Sequence, residues 1–102
     1  MSDKKKYILS LDHGTSGMKT ALISTKGDIQ GFDVAEYPVY YFEQGCAEQK
    51  PSEWWHALEK TVHNLIDKNL VAVEDIVAVV SSNQMSGTVP IAQDGETLQL
   101  AH

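Results

Sequence analysis

Tyr7-Ile8-Leu9-Ser10-Leu11-Asp12-His13-Gly14-Thr15-Ser16-Gly17-Met18-Lys19-Thr20-Ala21-Leu22-Ile23-Ser24 reads as a strand, a tight turn and a second strand. Tyr7 to Leu11 is short, branched and aromatic, the composition of a strand. Asp12 to Gly17 is built from residues that tolerate tight backbones. From Met18 the pattern alternates, with Met18, Thr20, Leu22 and Ser24 on one face and Lys19, Ala21 and Ile23 on the other. Thr25-Lys26-Gly27-Asp28 forms a second turn, where Gly27 suits a left-handed position. Ile29 to Tyr37 is a third strand. Turns this short impose an antiparallel meander, because a parallel link needs a dozen or more residues.

Downstream the texture changes. Pro38 to Lys50 is irregular, and Tyr37, Tyr40, Tyr41 and Phe42 form an aromatic patch that either packs under the sheet or lines a groove. Pro51 to about Asn69 is a helix: Trp54, Leu58, Val62 (or Thr61), Leu65, Ile66 and Asn69 recur at spacings of three and four. Pro51 fits the first helical position, and Glu53 fits the third position of a capping box. Lys50 then falls at the cap, where it cannot accept a hydrogen bond, so this start is weaker by ~1 kcal/mol than one capped by Asp. Asp75 to Val80 shows no alternation and reads as a strand covered on both faces. The helix before it makes it parallel to the first strand through a right-handed crossover. Ser81 to Gly87 is a polar loop, Thr88 to Ile91 is strand-like, Asp94-Gly95 signals a hairpin, and Leu98 to His102 begins another strand. No internal repeat or low-complexity segment is visible.

Composition sets the bounds. The 102 residues include 8 Lys+Arg and 14 Asp+Glu, for a net charge of −6, and 42% are hydrophobic. This is a globular chain of one small domain at most. An acidic balance without a basic stripe argues against nucleic acid as a partner. There is no apolar run of the ~18 residues a membrane span needs. The N-terminal lysines precede a short strand and no secretory signal, and the single Cys46 makes no internal disulfide; both point to a cytoplasmic protein.

Two segments carry candidate chemistry. In Asp12-His13-Gly14-Thr15-Ser16-Gly17-Met18-Lys19, glycines and hydroxyls let backbone amides converge on an anion. Lys19 adds positive charge, and Asp12 can hold Mg²⁺ through water, since hard cations prefer oxygen. An ordinary hairpin turn is the competing reading. The segment is not a P-loop: the spacing fails, and a strand follows where a helix is required. In Ser81-Ser82-Asn83-Gln84-Met85-Ser86-Gly87, Asn83, Gln84 and Ser86 offer hydrogen bonds to a hydroxylated ligand at the carboxyl end of a strand, where α/β sheets gather ligands. A plain polar loop competes with it. His13, His56, His63 and His102 show no metal-site spacing. One of Trp54 and Trp55 belongs to the core, because adjacent helical residues do not share a face.

The opening strand with Asp12-His13-Gly14-Thr15-Ser16 resembles the phosphate loop of the FGGY carbohydrate kinases, relatives of the hexokinase and actin ATPases. Gly45-Cys46-Ala47-Glu48-Gln49-Lys50-Pro51 with Glu53-Trp54-Trp55 resembles the family's G-W-x-E-Q-D-P stretch, with Cys46 in place of Trp and Lys50 in place of Asp. Asp75 to Val79 resembles the core strand that follows. Ser82-Asn83-Gln84-Met85-Ser86-Gly87 with Asp94-Gly95 resembles the sugar-side loop and hairpin.

The resemblance implies an α/β fold, ribonuclease-H-like, with a mixed sheet made of the meander, a crossover helix and a parallel strand. Residues 1–6 would be a flexible tail and residues 7–102 the first part of the N-terminal kinase domain, truncated. It implies transfer of the γ-phosphoryl group of ATP, with Mg²⁺, to a sugar or polyol. Asp12 would hold the metal–phosphate centre, Gly14, Thr15, Ser16 and Lys19 would bind phosphate, and Gln84, Met85 and Ser86 would contact the acceptor. Gln84-Met85-x-Gly87 is similar to the Q-M-H-G loop of xylulose and gluconate kinases, which points to a ketopentose such as xylulose. Glycerol kinases carry Arg and Glu where this chain has Met85 and Ser86. The family's general base, an Asp, would lie past residue 102, so the chain alone is expected to be inactive. No membrane partner is implied, and a homodimer of the full-length protein is left open. The alternative is a non-catalytic ATPase-fold binding module.

Overall fold

Alternation along the second strand organises the molecule. The computed structural model describes residues 5–84, 87–98 and 100–101. β1 (Tyr7–His13), β2 (Gly17–Ser24) and β3 (Ile29–Glu36) form the antiparallel meander. Met18, Thr20 and Leu22 are buried on one face of β2, as period-two alternation requires. A two-stranded ribbon follows, β4 (Tyr40–Tyr41) with β5 (Ala47–Glu48). Helix α1 (Pro51–Asp67) then leads through a single turn at Val73–Asp75 into β6 (Ile76–Ser82). β6 pairs parallel with β1, and the sheet order is β3-β2-β1-β6. The mixed sheet, crossover helix and parallel neighbour of β1 all form as the sequence predicts.

α1 packs its Ala57-Thr61-Leu65 stripe on β2 and β3. Met18, Ala35, Tyr37 and Ala57 make the core, flanked by Trp54 and Leu58. Trp54 faces inward and Trp55 is 61% exposed. Leu22, Leu65, Thr20 and Thr61 are the largest fully buried side chains. The two threonines share a 2.8 Å hydrogen bond across the helix–sheet interface. Lys50 caps the helix without a side-chain bond, as expected. Glu53 makes no reciprocal box; its carboxylate accepts the Tyr40 hydroxyl instead.

Several expectations differ from the structure. The helix stops at Asp67, and Asn69 is not part of its buried stripe. Asn69 is exposed and left-handed (φ 53), and its amide bonds the Ile66 carbonyl at 3.0 Å, so it terminates the helix. Within this chain α1 packs on β2 and β3, and Val77, Val79 and Val80 of the apolar run Ile76–Val80 are exposed. Thr88 to Ile91 forms no strand; Ile91 makes an isolated bridge to Thr97 around the Asp94-Gly95 turn, with Gly95 at φ +91. Of the strand expected from Leu98 to His102, Gln99 and His102 lie outside the described residues, and Ala101 bridges Gln49.

The aromatic patch divides between its two readings. Tyr37 is core. Tyr40 stacks on the exposed Phe42 with ring centroids 6.4 Å apart, and the Lys50 ammonium lies 4.9 Å from the Tyr40 centroid. Phe42 and Lys50 line a shallow groove with Pro51 and Thr97.

Candidate functional site

The site begins where β1 runs out. Side chains alternate along a strand, so Asp12 and His13 take opposite faces of the sheet. His13 turns toward α1, where its ring meets Trp54 edge-on at 4.5 Å and Tyr37 at 6.0 Å. Asp12 takes the open face and is exposed. Its register partners are Lys19 on β2, also exposed, and Ser82 on β6. The Ser82 hydroxyl donates to Asp12 Oδ1 at 3.2 Å.

Between the two strands the loop is held by its carbonyls. The Gly14 amide closes the turn on the Gly17 carbonyl at 3.0 Å. The Gly14 carbonyl accepts from the Tyr37 hydroxyl and from Gln84 Nε2, the latter at 3.0 Å. The Thr15 carbonyl accepts from Gln49 Nε2 at 2.6 Å, and the Ser16 carbonyl from the Tyr37 amide at 3.2 Å. Three consecutive carbonyls are therefore drawn into the protein. Among the described residues the amides of Thr15 and Ser16 have no acceptor, and both residues are exposed. Gly17 is required at the far end: a Cβ there would stand 2.8 Å from the Ala35 carbonyl oxygen.

The anchors form a connected group. Gln49 is 6% exposed, and its Oε1 accepts from Trp54 Nε1 at 3.0 Å and from Gln84 Nε2 at 2.8 Å. Its backbone is fixed by two bonds to Ala101, at 2.9 and 2.8 Å. Gln84 Nε2 also lies 3.3 Å from His13 Nε2. Burial holds the His13 pKa below the usual histidine value, against the opposing pull of the Asp12 charge. Burial likewise raises the Tyr37 phenol, and the Asp12 charge adds to the rise while the Gln84 amide opposes it.

The structure thus gathers Asp12, Gly14, Thr15, Ser16, Lys19 and Gln84 at one end of the sheet. Met85 and Ser86 lie outside the described residues. His13 stands in the candidate loop, and Gln49 and Trp54 in the family-like stretch, but the sequence gives neither them nor Tyr37 this anchoring role. Alternation could have put His13 on the helix side, but nothing local links Gln49 to Thr15, 34 positions away. Cys46 is exposed, and no group of three metal-ligating side chains occurs among the described residues.

Outward amides with two hydroxyls suit an anion. A carboxylate beside them would repel that anion unless a hard cation lay between, and a carboxylate oxygen is the ligand such a cation prefers. The donor set therefore fits a phosphate carrying a divalent metal better than a bare anion.

Residues 7–101 match the N-terminal domain of the FGGY family of carbohydrate kinases, and the chain belongs to that family. It is 31% identical over 96 residues to xylulose kinase from Bacillus subtilis, covering 94% of this chain and 19% of that protein. It is 29% identical over 94 residues to a glycerol kinase from Thermococcus gammatolerans, with 92% and 19% covered. The gluconate kinase structure from Lactobacillus acidophilus superposes with a TM-score of 0.86 at 26% identity, covering 96% of this chain and 19% of that one. The chain spans about a fifth of the length of each of these relatives.

Proposed function

We propose that the chain supplies the phosphate-binding loop and part of the acceptor pocket of an ATP-dependent sugar kinase in the ribonuclease-H-like class. The observation that carries this is the orientation of residues 14–16, with carbonyls tied inward and the amides of Thr15 and Ser16 without an acceptor among the described residues. Asp12 would hold Mg²⁺ at its exposed carboxylate, and Thr15, Ser16 and Lys19 would hold phosphate; Gly14, expected from the sequence to bind it too, shapes the turn instead, because its amide is bonded to the Gly17 carbonyl and its own carbonyl is turned inward. MgATP supplies the phosphoryl group when bound; the chain's residues position it and offset its charge.

The acceptor we infer is a ketopentose such as xylulose, held by the loop of Gln84, Met85 and Ser86. Gln84 Nε2 is occupied by the Gly14 carbonyl and Gln49, so Gln84 would present its Oε1 as an acceptor for a sugar hydroxyl. Met85 and Ser86 in place of Arg and Glu support a ketopentose over glycerol. We place the protein in the cytoplasm, on its phosphorylated-nucleotide chemistry and its single exposed thiol.

The test is an assay of the whole gene product with MgATP against ketoses, aldonates and polyols. Turnover is expected with a ketopentose, and Asp12→Asn should lower kcat by a factor of about 10² or more. No turnover with any of them would refute the kinase reading, and the same rate with Asp12→Asn would refute the placement of the metal.

A further inference from the structure

The two glutamines behind the loop do more than fill space. A buried amide side chain has two donor hydrogens and one acceptor oxygen, and the network fixes which way each faces. Gln49 directs Nε2 to the Thr15 carbonyl, and its Oε1 receives both Trp54 Nε1 and Gln84 Nε2. Gln84 directs Nε2 to the Gly14 carbonyl and to Gln49 Oε1. Flipping either amide would set oxygen against oxygen, so each orientation supports the other. The result is a continuous chain of hydrogen bonds from the acceptor-side loop, through Gln84 and Gln49, to two carbonyls of the phosphate loop.

We propose that Gln49 and Gln84 are positioning residues that couple these two loops. The Gln84–Gln49 pair holds the carbonyls of Gly14 and Thr15 inward, and so turns the next amides toward the phosphate. Rotating the peptide after residue 14 or 15 would bury an amide beside a donor nitrogen and release a carbonyl into the anion site. Phosphate in the loop therefore favours the arrangement that fixes Gln84, and a hydroxyl on Gln84 Oε1 favours the arrangement that opens the loop. Gln49 touches neither ligand and acts only through the loop and Gln84. The proposal rests on the phosphate-loop reading above.

Inorganic phosphate is titrated into the ¹⁵N-labelled chain, following the backbone amides of Thr15 and Ser16 and the side-chain amide of Gln84. In the native chain all three should shift together with one dissociation constant. Gln49→Leu should weaken phosphate binding roughly tenfold, about the worth of one buried hydrogen bond, and should abolish the response at Gln84. Gln49→Glu keeps the acceptor for Trp54 and Gln84 but loses the donor to Thr15. It should weaken binding while Gln84 stays in place, and it replaces the Leu variant should that one fail to fold. Amides of Leu9 and Leu22 in the strands report that each variant is folded.

If the native chain shows no shift at Thr15 or Ser16, the phosphate-loop reading falls and the coupling falls with it. If the native chain responds and a folded Gln49 variant responds identically, with Gln84 still shifting, the coupling alone is overturned. A purely structural role for Gln49 would change stability but leave the joint response at Thr15 and Gln84 intact.

Discussion

The hydroxyl pair between Thr20 and Thr61 gives the sharpest test of how sheet and helix are joined. Both side chains are 0% exposed, and their oxygens are 2.8 Å apart. Thr61 Oγ1 also lies 2.9 Å from the Ala57 carbonyl and 3.1 Å from that of Leu58. Carbonyls only accept, so the arrangement that gives both hydroxyl protons an acceptor has the Thr61 proton on the helix and Thr20 donating to Thr61. The pair is therefore directional, and the two valine substitutions are not equivalent. Thr61→Val keeps the shape but leaves the buried Thr20 hydroxyl without an acceptor, at a cost of ~1–3 kcal/mol. Thr20→Val removes the donor but leaves Thr61 bonded to its carbonyls, so its cost is nearer ~0.5–1 kcal/mol. With both replaced no orphan remains, and the double variant should be more stable than Thr61→Val alone. A chain of this size shifts its melting temperature by roughly 4–8 °C per kcal/mol, so differences of this order are resolved by thermal or urea unfolding. The expected coupling is ~1–2 kcal/mol. Strict additivity of the two valine variants, or a larger loss for Thr20→Val, would refute the proton assignment.

Three further outcomes follow from the same physics. Gly17→Ala places a Cβ 2.8 Å from a backbone oxygen of β3 and should cost about 1–3 kcal/mol, read from the urea midpoint, with chemical-shift changes concentrated at residues 14–17. Asn69→Gly, at φ 53, should stabilise by about 0.5 kcal/mol, and Asn69→Ala should destabilise by about 1 kcal/mol, because only the glycine occupies the left-handed cap without strain. Burial lowers the His13 pKa in the folded chain, so the unfolded chain binds more protons just below the ordinary histidine value. The stability linked to His13 should be complete above pH ~6.5 and fall as pH drops from there through the folded value, a slope that His13→Gln removes.

The sequence carried the sheet well because its signals were local. Short turns force antiparallel neighbours, and the alternation of Met18, Thr20 and Leu22 names the buried face before any tertiary information is used. Within this chain the Ile76–Val80 run is left without the cover its composition implies. A stretch without alternation describes the cover a strand could use, but whether anything lies over it depends on where the helix lands, and α1 lands on β2 and β3. Asn69 misled by spacing alone: it continues the helical period, yet its tolerance of a left-handed backbone makes it a stop. Of the candidate site, Asp12 to Lys19 and Gln84 were legible because small and hydroxylated residues cluster at the ends of strands. The role of Gln49 was not, since its partners in the two loops lie 34 and 35 positions away.

Why the loop should need glutamines at all is a question of charge. A loop that points successive amides at an anion must send the intervening carbonyls somewhere, and buried carbonyls require donors. Backbone supplies one, the Tyr37 amide to Ser16, and the Tyr37 hydroxyl shares a second with Gln84. A lysine in place of Gln49 could donate to Thr15, but it would bury a cation and leave Trp54 Nε1 and Gln84 Nε2 facing a donor. A carboxylate would satisfy those two and repel the Thr15 carbonyl. A neutral amide donates on one side and accepts on the other, with no charge to desolvate, so the loop's electrostatics are left to Asp12 and Lys19 on the open face. The division is testable in the variants already named: Gln49→Glu should disturb the loop by geometry without unfolding the sheet. Asp12→Asn should leave the loop's shape intact and remove only the charge that a cation requires.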